Sequence, residues 1–221
     1  MNDFSQSIHV WNIFLPDICI TPDECRPLLS GAELERAGKF SSLREANRFI
    51  TGRGLLRKIL GSCLNENPAA LELIKSPQGK PLLMNGELNF NVSHSRDRML
   101  IAVTAGRAVG IDIEFRREQM NVQEIAERWF TPAEQKFFAE NSPAVFFDLW
   151  AKKEAYAKAR STGIFRELKK FSVPTGEAYY SPAVSADKRW FFQLLDIDPA
   201  YAAAVVAEAP AIEIKVLCLN Q

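Results

Sequence analysis

Residues 109–114 read Val109-Gly110-Ile111-Asp112-Ile113-Glu114, an alternation of apolar residues with small or acidic ones. This period of two predicts a β-strand with Ile111 and Ile113 on one face. The opposite face then carries Gly110, Asp112 and Glu114. Two carboxylates on one face, beside a glycine that leaves room, can bind a hard divalent cation. The alternative is an edge strand whose acidic face is simply solvated.

A second stretch, residues 150–158, reads Trp150-Ala-Lys-Lys-Glu-Ala-Tyr-Ala-Lys158 and has helical character. A period of 3.6 stacks Phe146, Trp150, Glu154 and Lys158 along one side. A glutamate four residues before a lysine stabilises an exposed helix by about 0.2–0.5 kcal/mol, so a surface ion pair is an alternative explanation. The aromatic residues on the same face favour an inward orientation, where an ion pair alone stabilises poorly. The two stretches together predict three carboxylates and an ammonium around a divalent metal.

The composition is that of an ordinary globular protein, with 221 residues, 47% apolar and 24% charged. Lys plus Arg and Asp plus Glu both number 27, so no net field attracts nucleic acid or a membrane surface. The 4 cysteines form no Cys-x-x-Cys pair and the histidines number 2, which argues against a zinc site. The chain shows neither a signal-peptide pattern nor an apolar stretch of membrane-spanning length, so we expect a cytoplasmic protein.

The remaining patterns predict an α+β fold. Strands are predicted at residues 8–15, 71–74, 88–95, 99–104, 171–173, 178–180, 190–195 and 202–207. Helices are predicted within residues 22–38, after Ser42, after Thr131 and after Pro143.

Residues 90–104 and 191–206 each read strand, turn, strand, and each follows a long helix. We therefore expect two pseudo-symmetric α/β halves, residues 1–105 and 106–221. Each half is predicted to be a small, mostly antiparallel sheet packed on a long helix, with the active site at their interface.

Further candidates for ligand contact lie in the first half. Ser93 and His94 close a predicted strand in a polar cluster, although a lone histidine is more often structural. Arg48 lies on the predicted helix after Ser42, where a surface role is equally ordinary. Lys80 lies between Gly79 and Pro81, and this rigid loop would restrict the position of its ammonium.

These residues resemble the motifs of the phosphopantetheinyl transferases. Gly110-Ile-Asp112-Ile-Glu114 and the stretch from Trp150 to Lys158 look like the two signature motifs of that family. The sequences Gly79-Lys80-Pro81 and Phe90-Asn-Val-Ser-His-Ser95, with the helix that carries Arg48, resemble the surfactin-synthetase-activating type. That type has two fused halves in one chain, so the resemblance implies a monomer.

The resemblance implies transfer of 4′-phosphopantetheine from coenzyme A to a serine of an apo carrier protein, releasing adenosine 3′,5′-bisphosphate. Asp112, Glu114 and Glu154 would hold Mg²⁺, or Mn²⁺, on the pyrophosphate of coenzyme A. Lys158 would bind and neutralise or protonate the leaving group. The catalytic residues are then Asp112, Glu154 and Lys158, and either Glu154 or a water on the metal is the base for the serine.

For the rest of coenzyme A, similarity places four residues of the first half around the 3′-phosphate and adenine: Arg48, Lys80, Ser93 and His94. The segment from Phe115 to Phe130 would help to form the carrier-docking surface. Within it Arg116, Arg117 and Arg128 could meet an acidic helix of the carrier, although solvated charges are an equally ordinary interpretation. The chain departs from the family pattern at Glu33 and Arg36, where relatives often carry a lysine pair.

Two other functions remain as alternatives. A Mg²⁺-dependent pyrophosphatase acting on coenzyme A could use the same metal site to activate water. A non-catalytic module could bind coenzyme A or a carrier, but it would have no need of metal ligands. The identity of the carrier and of its pathway does not follow from the sequence.

Overall fold

The computed structural model describes residues 4–161, 168–175, 189–208 and 213–219. Its strands are β1 (Ser7–Phe14), β2 (Leu73–Lys75), β3 (Pro81–Leu83), β4 (Asn89–Ser95), β5 (Arg98–Thr104), β6 (Val109–Phe115), β7 (Trp190–Leu194), β8 (Tyr201–Glu208) and β9 (Glu213–Cys218). Its α-helices are α1 (Pro22–Cys25), α2 (Gly31–Gly38), α3 (Leu43–Leu64), α4 (Val122–Trp129), α5 (Pro132–Ala139) and α6 (Ala144–Arg160). The mixed α+β fold predicted from the sequence is confirmed.

The strands form two principal sheets and a short ribbon. The first sheet has the order β4-β5-β1-β9, the second has the order β6-β8-β7, and β2 pairs with β3. All of these pairings are antiparallel except that of β1 with β9, which is parallel. Strand β9 was not predicted, and it brings the end of the described chain to the first sheet. The division of the chain at residue 105 stays a prediction.

The layers are stacked in the order α3, first sheet, second sheet, α6. Apolar residues of α3, including Leu56 and Leu60, pack with Phe90 and Ile101 of the first sheet. The inner faces of the two sheets share a core that includes Val10 of β1 and Ile111 of β6. On the far side, α6 packs on the second sheet through residues that include Ala155 and Ala204. Each half therefore has the predicted sheet-and-helix arrangement.

Within the described residues one predicted strand is shifted and another is wrong. The strand predicted at residues 71–74 is present only as β2, from Leu73 to Lys75. Residues 171–173 form no strand, although Phe171 and Val173 are buried. Their backbone groups pair with side chains instead, since Phe171 O accepts from Lys153 and Val173 N donates to Glu134. The strand predicted at residues 178–180 lies outside the described residues.

No helix in the described ranges combines the length and the apolar character that a bilayer-spanning segment requires.

Candidate active site

Strand β6 has the two faces that its alternation predicts. Ile111 and Ile113 lie in the core between the sheets and are 0% and 1% exposed. Asp112 is also buried, with 2% of its surface exposed, and its carboxylate contacts Lys158 of α6. The acidic face of β6 is therefore covered by a helix, and the alternative of a solvated edge strand is wrong.

Gly110 allows α6 to approach β6 very closely. A Cβ atom at Gly110 would lie 2.0 Å from the carbonyl oxygen of Ala155 and 2.5 Å from the backbone nitrogen of Ala159. The explanation drawn from the sequence, that this glycine leaves room for a cation, is therefore wrong. The space is filled by the backbone of α6, and this contact brings Glu154 and Lys158 next to the strand.

Three carboxylates converge between β6 and α6. Asp112, Glu114 and Glu154 each offer an oxygen, and these oxygens all lie within 4.8 Å of one another. Burial, followed by the negative charge of Asp112, raises the pKa of Glu114 to about 7. The same two causes, in the same order, raise the pKa of Glu154 to about 8. The cluster thus holds more negative charge than its surroundings stabilise, which a bound cation would correct.

The donor set fits a hard divalent cation. The Oδ2 atom of Asp112 is buried and has no hydrogen-bond partner in the described part of the chain. A buried carboxylate oxygen without a donor is costly, and it is the atom that a metal would satisfy. Three carboxylates on one strand and one helix are oxygen ligands of the type that Mg²⁺ and Mn²⁺ prefer.

The other oxygen of Asp112 joins the cluster to a basic group. Lys158 Nζ donates to Asp112 Oδ1 at 2.6 Å and to Ser93 Oγ at 3.0 Å. Ser93 Oγ in turn donates to Asp112 Oδ1 at 2.8 Å. The side chain of Lys158 is 19% exposed, whereas that of Asp112 is 2% exposed, so Lys158 is the more accessible member of the pair.

Side chains of β4 cover the free edge of β6. The backbone N–H groups of alternate residues in β6 donate to Asn91 Oδ1, Ser93 Oγ and Ser95 Oγ, at 2.8, 3.4 and 3.0 Å. Ser93 therefore lies where the two sheets meet, as part of the hydrogen-bond network of Asp112. Asn91 and Ser95 were missed in the sequence, although buried polar residues at a period of two in β4 are the signal that could have identified them.

Arg48 and His94 are separate from this network. Arg48 lines an open cleft of about 520 Å³ together with Ser42, Arg44, Glu45, Arg96 and Asp97. Its Nε and Nη2 atoms are buried and find no partner among the residues that the structure describes. His94 is an exposed residue, yet desolvation of its ring by the surrounding protein, followed by the positive charge of Arg48, lowers its pKa. This cleft is suited to an anionic group.

Arg44 and Arg96 are residues of the cleft that were not predicted. Arg96 has a φ of 48°, a left-handed conformation that is unusual for a residue other than glycine. Its guanidinium lies 3.4 Å from the centre of the Phe115 ring at the end of β6. Arg96 lies in the turn between β4 and β5, and the conformation of this turn brings its guanidinium to Phe115. Nothing in the local sequence predicts this contact.

Lys80 lies on the boundary between the halves. Its Nζ donates to the carbonyl oxygens of Val109 and Lys158, at 3.0 and 2.9 Å. Burial, followed by the charge of Lys158, lowers the pKa of Lys80 to about 8. Two of the three hydrogens of this ammonium therefore join β6 to the end of α6. The predicted contact of Lys80 with coenzyme A stays a prediction.

Two of the charged residues singled out in the sequence, Glu33 and Arg116, form ion pairs in the structure. Glu33 pairs with Arg53 and Arg57 at 3.3 and 2.9 Å, so it is held by α3. Arg116 donates to Asp148 at 2.7 Å, whereas Arg117 and Arg128 are exposed.

Comparison with known proteins identifies relatives for both halves of the chain. A family model described as the 4′-phosphopantetheinyl transferase superfamily matches residues 108–206. A second, described as 4′-phosphopantetheinyl transferase, N-terminal, matches residues 24–106. The 4′-phosphopantetheinyl transferase HetI of Nostoc sp. is 34% identical over 92% of this chain and 89% of its own length. The corresponding values are 31%, 86% and 83% for a 4′-phosphopantetheinyl transferase of Bacillus pumilus, and 27%, 85% and 86% for one of Bacillus subtilis.

Proposed function

The chain belongs to the 4′-phosphopantetheinyl transferase superfamily and is an enzyme of that kind, and we propose that coenzyme A is its donor. The acceptor is a serine of an apo carrier protein, and the second product is adenosine 3′,5′-bisphosphate. The observation that carries this proposal is the convergence of Asp112, Glu114 and Glu154 beside Lys158.

We propose that these three carboxylates hold Mg²⁺ or Mn²⁺. The ion would neutralise charge on the pyrophosphate of coenzyme A, both at the phosphorus under attack and on the leaving phosphate. Support comes from Asp112 Oδ2, which has no hydrogen-bond partner among the described residues, and from the raised pKa values of Glu114 and Glu154, which a bound cation would lower. Glu154 is a candidate acceptor for the proton of the carrier serine.

Lys158 is placed to act on the leaving group. Its ammonium is attached to Asp112 and Ser93, so the direction of its remaining hydrogen is restricted. It is also more accessible than Asp112. A phosphate bound there would gain a charge-assisted hydrogen bond from Nζ, and this bond would strengthen as negative charge develops on the leaving oxygen.

The cleft around Arg48 is the proposed site of the 3′-phosphate of coenzyme A, with His94 at its rim. The main observation is that two buried nitrogens of Arg48 have no partner in the described part of the chain, and Arg44 and Arg96 add positive charge to the same cleft. In this proposal residues 1–105 hold the adenosine end of coenzyme A. Residues 106–221 supply the metal ligands and Lys158.

Arg48→Ala is expected to weaken the binding of coenzyme A by about 10- to 100-fold, because it removes charged hydrogen bonds to a phosphate. The binding of dephospho-coenzyme A, which lacks that phosphate, should change little. Isothermal titration with both ligands tests the difference. Lys58→Ala, an exposed change on the same helix, serves as the control. An equal loss of affinity for both ligands would show that Arg48 does not bind the 3′-phosphate.

The carrier is proposed to dock near the segment from Phe115 to Phe130. Arg117 and Arg128 are exposed there and could meet an acidic surface of the carrier, whereas Arg116 is already paired with Asp148. We propose further that the enzyme acts as a monomer, because the two halves are already joined in one chain, and that it acts in the cytoplasm.

The test of the function is incubation of the protein with coenzyme A, Mg²⁺ and an apo carrier, followed by intact-mass analysis. Transfer adds one phosphopantetheinyl mass to the carrier, and EDTA should prevent it. Release of free phosphopantetheine with an unmodified carrier would instead indicate a pyrophosphatase. If coenzyme A and the carrier both remain intact across a panel of apo carriers, the protein is a binding module and the proposal fails.

A further inference from the structure

A fully buried ion pair lies in the second half, and one of its members is the residue that precedes Glu154 in α6. The side chains of Lys153 and Glu134 are both 0% exposed. Lys153 Nζ donates to both carboxylate oxygens of Glu134, at 2.9 and 2.7 Å, and to Phe171 O at 2.7 Å. All three hydrogens of the ammonium therefore have acceptors.

Glu134 is bound just as completely. Its Oε2 accepts from the backbone nitrogen of Thr131 at 2.8 Å, and its Oε1 accepts from that of Val173 at 2.9 Å. Glu134 lies on α5, Lys153 lies in the middle of α6, and Val173 lies in the segment of residues 168–175. One charged pair thus ties α6 to two other segments.

A second lysine strengthens the same attachment. Lys152 is 1% exposed and donates to Pro174 O at 3.0 Å. The ammonium of Lys153 also lies 4.6 Å from the centre of the Phe171 ring, within the range of a cation–π contact. Consecutive residues of α6 are therefore bonded to the same short segment, so this helix cannot rotate about its axis without breaking charged hydrogen bonds.

Stability alone does not explain such a pair. Replacing a buried ion pair with uncharged groups of similar size is often neutral or stabilising, because desolvation offsets the attraction. What the pair does supply is a fixed orientation of α6 about its own axis. Lys153 and Glu154 are neighbours and project about 100° apart around the helix. With Lys153 held on one side, Glu154 is directed to β6, and Lys158 follows one turn later on nearly the same side.

We propose that Lys153 and Glu134 are positioning residues, which set the rotation of α6 so that Glu154 and Lys158 meet Asp112 of β6. Neither residue touches the substrates in this proposal. Because Gly110 brings the backbones of α6 and β6 into contact, a small rotation of α6 would move the Glu154 carboxylate out of reach of a shared cation. This inference rests on the proposed metal site.

The test is the affinity for Mn²⁺, measured without substrates from the electron paramagnetic resonance signal of free Mn²⁺. The double variant Glu134→Gln/Lys153→Met removes both charges and leaves an amide oxygen that can still accept from one of the two backbone N–H groups that Glu134 binds. We expect its dissociation constant for Mn²⁺ to rise by about 10- to 100-fold, the usual effect of losing groups that orient metal ligands. The kcat for carrier modification should fall, with the KM for the carrier unchanged.

The control is Leu149→Ala, one turn earlier on the same side of α6, in a residue that is 1% exposed. It lowers stability by opening a cavity but leaves the ion pair intact, so its Mn²⁺ affinity should stay near that of the wild type. An equal loss of Mn²⁺ affinity in this control would show that any destabilisation of α6 weakens the metal site, and it would overturn the inference. A double variant that folds and binds Mn²⁺ as the wild type does would overturn it as well.

Glu134→Asp covers the case in which the double variant does not fold. It keeps the charge but withdraws the carboxylate by one methylene group, and we expect a few-fold loss of Mn²⁺ affinity. Unchanged affinity in this folded variant would overturn the inference. Failure of the wild type to bind Mn²⁺ would instead overturn the proposed metal site, so the two proposals fail in different measurements.

Discussion

Asp112→Asn is expected to abolish phosphopantetheinyl transfer, with a fall in kcat/KM of at least about 10³-fold. The change keeps the shape of the side chain but removes the negative charge that Lys158 and Ser93 both contact. It also replaces one carboxylate oxygen of the metal cluster with an amide. The loss should therefore appear in Mn²⁺ binding as well as in the rate of carrier modification.

The measurement is the initial rate of carrier modification with Mg²⁺ and saturating coenzyme A. Circular dichroism should show an unchanged fold, since the amide can still accept from Lys158 Nζ and Ser93 Oγ. Asp23→Asn, which neutralises an exposed aspartate on α1, is the control and should keep the wild-type rate. Ordinary activity in Asp112→Asn would refute the assignment of the metal site.

Gly110→Ala is expected to destabilise the protein by about 3 kcal/mol or more. The added methyl group would overlap the carbonyl oxygen of Ala155 at 2.0 Å and the backbone nitrogen of Ala159 at 2.5 Å. Both atoms belong to the helical backbone, so no side-chain rotation can relieve the contact. Helix α6 would have to move off β6, and the helix carries Glu154 and Lys158, two of the three proposed catalytic residues.

Chemical denaturation followed by circular dichroism measures this effect. Gly38→Ala is the matched control, because a Cβ atom there meets nothing within 4 Å. It should be neutral or slightly stabilising, since alanine has the higher helix propensity. A Gly110→Ala variant as stable as the wild type would show that α6 can move away from β6 without a loss of stability. The close contact at Gly110 would then not be needed for the site.

Much of the candidate site follows from local periodicity. Asp112 and Glu114 are two residues apart on a strand, and Glu154 and Lys158 are four apart on a helix, so each pair shares a face wherever its element packs. The sequence also indicated that the helix face points inward, because Phe146 and Trp150 lie on it. In the structure both rings are buried and stacked 5.9 Å apart.

Other parts of the site depend on contacts that no local pattern encodes. Lys80 has as partners two carbonyl oxygens from β6 and α6, which a lysine between glycine and proline does not predict. The buried partner of Lys153 is Glu134, a residue that local patterns assign only to a helix start. Strand β9 pairs with β1 across almost the whole chain. Its alternation of Ile214 and Val216 with charged residues is a strand signal that was missed, and no local pattern identifies β1 as its partner.

Most of the secondary structure, the α+β class and the chemistry of the metal ligands were thus available from residue order, because they depend on spacings of two to four residues along one element. The tertiary structure decided which elements meet: that Gly110 admits a helix rather than a cation, that β4 caps the edge of β6, and that Lys153 is held by Glu134. The physical reason is that these contacts join residues far apart in the chain. Their geometry arises from the packing of whole layers, to which every buried side chain contributes.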